Sequence, residues 1–186
     1  KKIVLKEEFD ESDDTFESEV KDDCLSIVYR LLFVFYAESR ADLDILPISD
    51  SIYQKGYSLE MLRDLEQTKL VTDHSLNGYF FHESLKQLFQ LMCVSSKHLR
   101  KENGFQETDG VLNKSFKIRH IDSPMFDDNK LHHLSDVKFR NFIWQDVICQ
   151  LSLSKQKNKK ARGRISYANL GINQLGSVYE SLLAYR

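Results

Sequence analysis

Apolar residues recur at intervals of three and four along several stretches of this chain, a period that predicts helices. In the first stretch, Val20, Cys24, Ile27, Val28, Leu31, Leu32 and Phe35 share one face. Leu25, Val34 and Tyr36 widen that face, which predicts a helix buried on more than one side and ending near Ala41. Leu46-Pro47 turns the chain. Ser58 is placed to cap a short helix through Leu59, Leu62 and Leu65, to about Lys69. Asn77-Gly78 marks a turn. A second long helix carries Leu85, Leu88, Phe89 and Met92 and extends towards Leu99.

Residues 101–115 are polar and read as a loop. Phe116 and Ile118 alternate with Lys117 and Arg119, a weak extended signal, and Asp122-Ser123-Pro124 begins another turn. Ser135 or Asp136 is expected to cap a third strong helix holding Val137, Phe142, Ile143, Trp144, Val147, Ile148 and Leu151. A last stripe, Leu175, Val178, Tyr179, Leu182 and Leu183, follows Asn173 as its expected cap.

Composition sharpens this pattern. The 186 residues include only 7 Gly and 2 Pro, which leaves room for long helices and argues against a turn-rich β fold. A hydrophobic share of 41% is enough to build a core. The expected fold class is therefore mainly α: an irregular helical bundle with long loops and at most minor β. No apolar run reaches the ~18 residues of a membrane span. Leu25 to Ala37 comes closest, but Arg30 interrupts it, so no membrane partner is expected.

The net charge is only -2, but it is unevenly placed. Residues 1–19 read as an acidic lead-in that closes a preceding region, and residues 20–154 as a helical connector domain. Residues 155–164 read as a basic, exposed linker, and residues 165–186 as a helix leading onward. The chain opens at Lys1 rather than Met, without an apolar signal region, so a longer parent protein is expected. Three well-separated cysteines, Cys24, Cys93 and Cys149, suit buried thiols in a reducing cytoplasm better than a disulfide framework.

Candidate chemistry is sparse. An adenine methylase holds its flipped base with an Asp/Asn/Ser-Pro-Pro-aromatic loop. The nearest string, Asp122-Ser123-Pro124-Met125-Phe126, lacks the paired prolines and is better read as a turn. No glycine-rich turn follows a buried strand to seat a nucleotide-like cofactor. Glu19-Val20-Lys21, with Asp10, Asp13 and Asp14 upstream, matches half of a metal-nuclease pattern, but such triplets are ordinary in a solvated acidic run. His132-His133 and His120 with Asp122 lack zinc spacing. No catalytic, cofactor-binding or metal-ligating residue is assigned. Lys155, Lys157, Lys159, Lys160, Arg162 and Arg164 are candidate DNA phosphate contacts, with a solvated linker as the competing reading. Trp144 belongs to the core rather than to a base-stacking surface.

Three segments carry a resemblance. They are Tyr29 to Arg40 with Leu46-Pro47 after it, Phe116 to Phe126, and Arg162 to Leu183 with its Leu-Gly-x-Val-Tyr-Glu-x-Leu-Leu run. In order and spacing they resemble the helical connector of type IIG-like adenine-specific DNA methyltransferases, with relatives in BREX- and DISARM-type phage defence. The resemblance covers roughly residues 25–186. It implies a bacterial or archaeal, cytoplasmic parent that transfers a methyl group from S-adenosylmethionine to adenine N6 in duplex DNA, within restriction-modification or phage defence. It implies for this chain a non-catalytic spacer, inactive alone and without its own cofactor. Its partners would be an adjacent methyltransferase domain and, through the parent, duplex DNA. Gly176, Val178, Tyr179, Leu182 and Leu183 would dock on that domain. The alternative is an autonomous helical protein-interaction module unrelated to methylation.

Overall fold

A computed structural model of the chain describes residues 14–93, 124–155 and 162–184. The first helix, α1 (Asp14–Ser39), starts inside the expected acidic lead-in. Its second half enters the core on more than one side, as the pattern predicts: Leu31, Val34, Phe35, Tyr36 and Ala37 are all buried. Its first half is wetter. Cys24 is exposed and Cys149 half-buried, which corrects the expectation of buried thiols. The residue that turns inward there is Asp23, only 1% exposed.

Short helices follow. α2 (Ser51–Gly56) is capped by the Asp50 carboxylate, which accepts from the N–H groups of Ile52 and Tyr53. α3 (Leu59–Asp64) is capped by Ser58 as expected, but it stops five residues before Lys69, with the N–H of Leu65 folding back onto Leu62. α4 (Asp73–Asn77) opens on a Thr72–Ser75 capping box, so Asn77-Gly78 closes a helix there. α5 (Phe80–Cys93) buries Phe81, Leu85, Leu88, Phe89 and Met92. Two 3-10 turns, Pro124–Phe126 and Asp128–Lys130, precede α6 (Asn141–Ser152), and α7 (Ile172–Leu183) comes last. α3 touches α1, α2, α5 and α6, so a six-residue helix sits at the centre of the packing.

Two expected caps are displaced. α6 begins at Asn141, not after Ser135 or Asp136, and Arg140 makes no side-chain cap. Tertiary bonds hold the approach outside the helix. Asn141 donates its N–H to the Gly78 carbonyl at 2.8 Å and its Nδ2 to the Ser75 carbonyl at 2.9 Å, and its Oδ1 accepts from the N–H of Phe81 at 3.1 Å. Lys138 pairs with Glu83 beside them. α7 begins at Ile172, which places Asn173 inside the first turn. Gln174 Oε1 instead reaches back to the N–H of Gly171 at 2.9 Å, and the Gly171 carbonyl accepts from Leu175.

The fold is mainly helical, an irregular bundle, and no strand occurs among the described residues. The β content is one isolated antiparallel bridge, Leu153 with Arg164. Trp144 lies in the core against the edge of Phe139. No helix among the described residues is long and apolar enough to cross a membrane. Leu99, the 101–115 loop, the Phe116–Arg119 segment, His120 and Asp122-Ser123 lie outside the described residues.

Candidate functional site

A cavity of about 360 Å³ opens where the end of α1, α3 and the extended segment 164–167 meet. α1 contributes Phe35, Glu38 and Ser39; α3 contributes Glu60 and Arg63; the extended segment contributes Arg164, Ile165, Ser166 and Tyr167. Volumes near this size suit small molecules when a few polar groups converge. The partners of the polar groups decide what this one can do.

Glu38 holds the α2–α3 junction. Its Oε1 accepts from the Tyr53 hydroxyl and from the N–H of Leu59, both at 2.7 Å, and its Oε2 from the N–H of Glu60 at 2.9 Å. Burial pushes its carboxyl up to about 7, against the pull of those three bonds. The same burial, with the neighbouring carboxylate, pushes the Tyr53 hydroxyl far above its ordinary value. Glu38 is thus a carboxyl that titrates near neutrality on the cavity wall.

Arg63 is 8% exposed and spans three elements. Its Nε donates to Ser152 Oγ at 2.6 Å, and its Nη2 donates to the carbonyls of Ser152 at 3.2 Å and Ile165 at 2.7 Å. Its guanidinium lies 5.5 Å from the Phe35 ring centre, and that ring stacks on Tyr167 at 5.0 Å and 4°. Arg164 fans out over α3, to Glu60 at 3.1 Å, Asp64 at 2.8 Å and Glu66 at 3.3 Å. Exposed pairs of the Glu60 and Asp64 kind contribute about 0–1 kcal/mol. Glu66 differs: its side chain is 1% exposed, and its Oε2 has no hydrogen-bond partner among the described residues. Arg164 is its counter-charge. The cavity is therefore lined by charges already engaged in tying α1, α3, α6 and the 164–167 segment together.

A second charged joint lies at the other end of α1. Asp23 accepts from the N–H groups of His132, His133 and Leu134 at 2.7 to 3.0 Å. Burial raises its carboxyl, but those three donors outweigh it and hold the group below the usual carboxylate range. His133 Nε2 meets Glu19 Oε2 at 2.8 Å, with Phe16 edge-on to the imidazole. Glu19 of the acid-x-Lys triplet and one member of the histidine pair thus serve one contact. No group of three His, Cys, Asp or Glu among the described residues is arranged to hold a metal ion.

The basic stretch divides. Lys155 is exposed, whereas Lys157, Lys159 and Lys160 lie outside the described residues. Arg162 donates to the carbonyls of Ser154 at 2.8 Å and Leu153 at 3.2 Å, at the end of α6. Arg164 has the carboxylate partners given above. Phosphate would have to compete with intramolecular acceptors for both arginines. Of the docking candidates, Val178 and Tyr179 are 38% and 40% exposed, while Leu175 beneath them is buried. The Tyr179 ring lies 4.4 Å from that of Tyr29 on α1. A Cβ built at Gly176 meets nothing within 4 Å, so no close approach among the described residues requires that glycine. The side chains of Leu182 and Leu183 lie outside the described set.

Sequence reasoning passed over Asp23, Arg30, Glu38, Arg63 and Glu66. One signal was present: Arg30 interrupts the longest apolar run, and a charge on a buried face needs a partner. No protein-family model matches this chain, and no solved structure matches its fold.

Proposed function

We propose that this chain is the non-catalytic helical spacer of an adenine-specific DNA methyltransferase, one that moves a methyl group from S-adenosylmethionine to adenine N6 in restriction-modification or phage defence. The resemblance of the three segments carries the reading. One structural observation supports it. The first and last of those segments lie against each other, through Tyr29 with Tyr179 and Phe35 with Tyr167. They behave as one packed unit, as a spacer holding neighbours at a fixed angle requires. The exposed side of α7, with Val178 and Tyr179, is the surface offered to the adjacent methyltransferase domain. DNA contact, where it occurs, falls to the lysines from Lys155 onward, because Arg162 and Arg164 have intramolecular partners.

The test is methylation of host DNA. Deleting the gene that encodes this chain should erase N6-methyladenine from one sequence motif in single-molecule sequencing. Unchanged methylation overturns the proposal. The isolated 186-residue chain should show no heat of S-adenosylmethionine binding in calorimetry. A second reading, an autonomous helical interaction module, draws on the exposed Leu76 at the end of α4 and Tyr79, Phe80 and Phe142 at the starts of α5 and α6. It predicts that the deletion leaves methylation untouched.

A further inference from the structure

The 162–167 segment is a thin element. Gly163, Arg164 and Ser166 are exposed, and its backbone ties to the body are few. The N–H of Ile165 donates to the Ser152 carbonyl at 2.7 Å, and the N–H of Ser154 donates to the Gly163 carbonyl at 2.8 Å. Side chains add to these: Arg63 donates to the Ile165 carbonyl, Arg162 to the Ser154 and Leu153 carbonyls, the N–H of Gly163 to Ser154 Oγ, and Arg164 reaches α3. Tyr167 anchors the far end, buried and stacked on Phe35 with its hydroxyl donating to the Leu151 carbonyl at 2.6 Å. On its inner side lies the 360 Å³ cavity, with Phe35, Glu38 and Ser39 on the opposite wall. Ahead of Tyr167, from Gly163 to Ser166, no residue is fully buried, and stretches of that kind open locally without global unfolding.

We propose that residues 162–167 are a strap that opens and closes over this cavity, latched by Arg164 on Glu66. The three carboxylates that meet Arg164 are unequally exposed. Glu60 and Asp64 keep 49% and 67% of their side-chain surface, so water replaces the arginine readily. Glu66 cannot be hydrated while the strap is shut, because its side chain is 1% exposed. With Arg164 in place the buried carboxylate is compensated and the shut state is favoured. Without it, a lone buried charge remains, and the way to hydrate it is to lift the strap. Glu66 is therefore the latch plate: its Oε1 meets Arg164 at 3.3 Å, and its Oε2 has no hydrogen-bond partner among the described residues. Opening, with the buried Tyr167 as its fixed end, would take the Arg164–Ser166 wall away from Glu38 and Ser39 and admit solvent or a polar small molecule.

A charge-cancelling pair of substitutions tests this. In Arg164→Gln, exchange of the Ile165 amide proton should quicken by about tenfold or more while that of Leu88, in the buried face of α5, stays unchanged. Adding Glu66→Gln removes the stranded charge and should return the Ile165 amide most of the way to its original rate. A Ser39→Cys reporter, in a background with Cys24, Cys93 and Cys149 replaced by Ser, should label faster in Arg164→Gln and slow again in the double variant. If Leu88 quickens in parallel with Ile165, Arg164 supports the whole fold and the strap is overturned. Unchanged Ile165 exchange, or no recovery on adding Glu66→Gln, also overturns it. Should Arg164→Gln fail to fold, Glu66→Gln serves as the starting background: it keeps the shape of the buried side chain and removes the need for a counter-charge. Because only the exposed partners Glu60 and Asp64 then remain, adding Arg164→Gln to this background should change Ile165 exchange by less than about fivefold, and a larger change overturns the latch.

Discussion

Arg30 Nη1 lies 2.6 Å from Asp128 Oδ1, joining residues 98 positions apart in the chain. The guanidinium is 2% exposed and also donates to the carbonyls of Met125 at 2.6 Å and Asp127 at 2.9 Å. It pins α1 to the 3-10 turns before α6, and its outer face lies 5.7 Å from the Phe89 ring centre. Arg30→Met keeps the apolar stem but strands two carbonyls, and should lower the unfolding free energy in urea by about 2–4 kcal/mol. Arg30→Lys should recover little, since an ammonium cannot match the planar fork to three acceptors spread over the two turns.

The Glu38 carboxyl gives a pH dependence of known sign. Its folded value, about 7, lies above the ordinary 4.5, so its stabilising contribution is complete below about 4.5 and is lost as pH rises through about 7. Glu38→Gln removes that proton linkage. The stability of the native chain relative to this variant should fall by up to about 3 kcal/mol between pH 4.5 and pH 8. Paired thermal or urea melts at those pH values check it, and a flat difference would sink the assignment.

Asp23 works in the opposite direction. Its folded value is depressed, so its contribution is present above the ordinary 3.8 and disappears as pH falls through the folded value. Asp23→Ala leaves three backbone donors at residues 132–134 without their acceptor, and should cost about 2–4 kcal/mol at pH 7. The difference from the native chain should begin to shrink in acid melts below pH 3.8, where the unfolded carboxyl takes up its proton, and close only once the pH has fallen through the lower folded value.

Two glycines should respond in opposite ways to Ala. At Gly78 a Cβ would stand 2.5 Å from the His74 carbonyl oxygen and 3.0 Å from Asn141 Nδ2, so Gly78→Ala forces α4 and α6 apart and should destabilise by about 1–3 kcal/mol. At Gly176, inside α7 with open space around it, Ala should stabilise by up to about 1 kcal/mol. If Gly176 instead seats a neighbouring domain, Gly176→Ala should weaken that association while raising the melting temperature of the isolated chain.

Local rules read well from the sequence where a short-range signal acts alone. The Ser58 cap and the core positions Leu31, Phe35, Leu85, Leu88, Met92, Trp144 and Ile148 all follow from periodicity and hydroxyl placement. The failures sit where a distant partner overrides a local preference. Ser135 and Asp136 are good cap residues, but the α6 start is set by Asn141 bonding to Gly78, Ser75 and Phe81, some 60 positions away. Arg164 looked like one cation in a basic run; its carboxylate partners lie about 100 positions upstream.

The sequence by itself determined that the chain is helical and which stripes are apolar, because helix period and burial are properties of residues three and four apart. The scarcity of Gly and Pro and the Ser58 cap belong to the same local account. Only the tertiary structure decided where the buried charges go: Asp23 to three amides, Arg30 to the 3-10 turns, Glu38 to the start of α3, Arg63 to Ser152 and Ile165, and Arg164 to Glu66. A buried charge is tolerable only with a partner, and that partner can stand anywhere in the chain. Sequence spacing carries no record of which one the fold brings near.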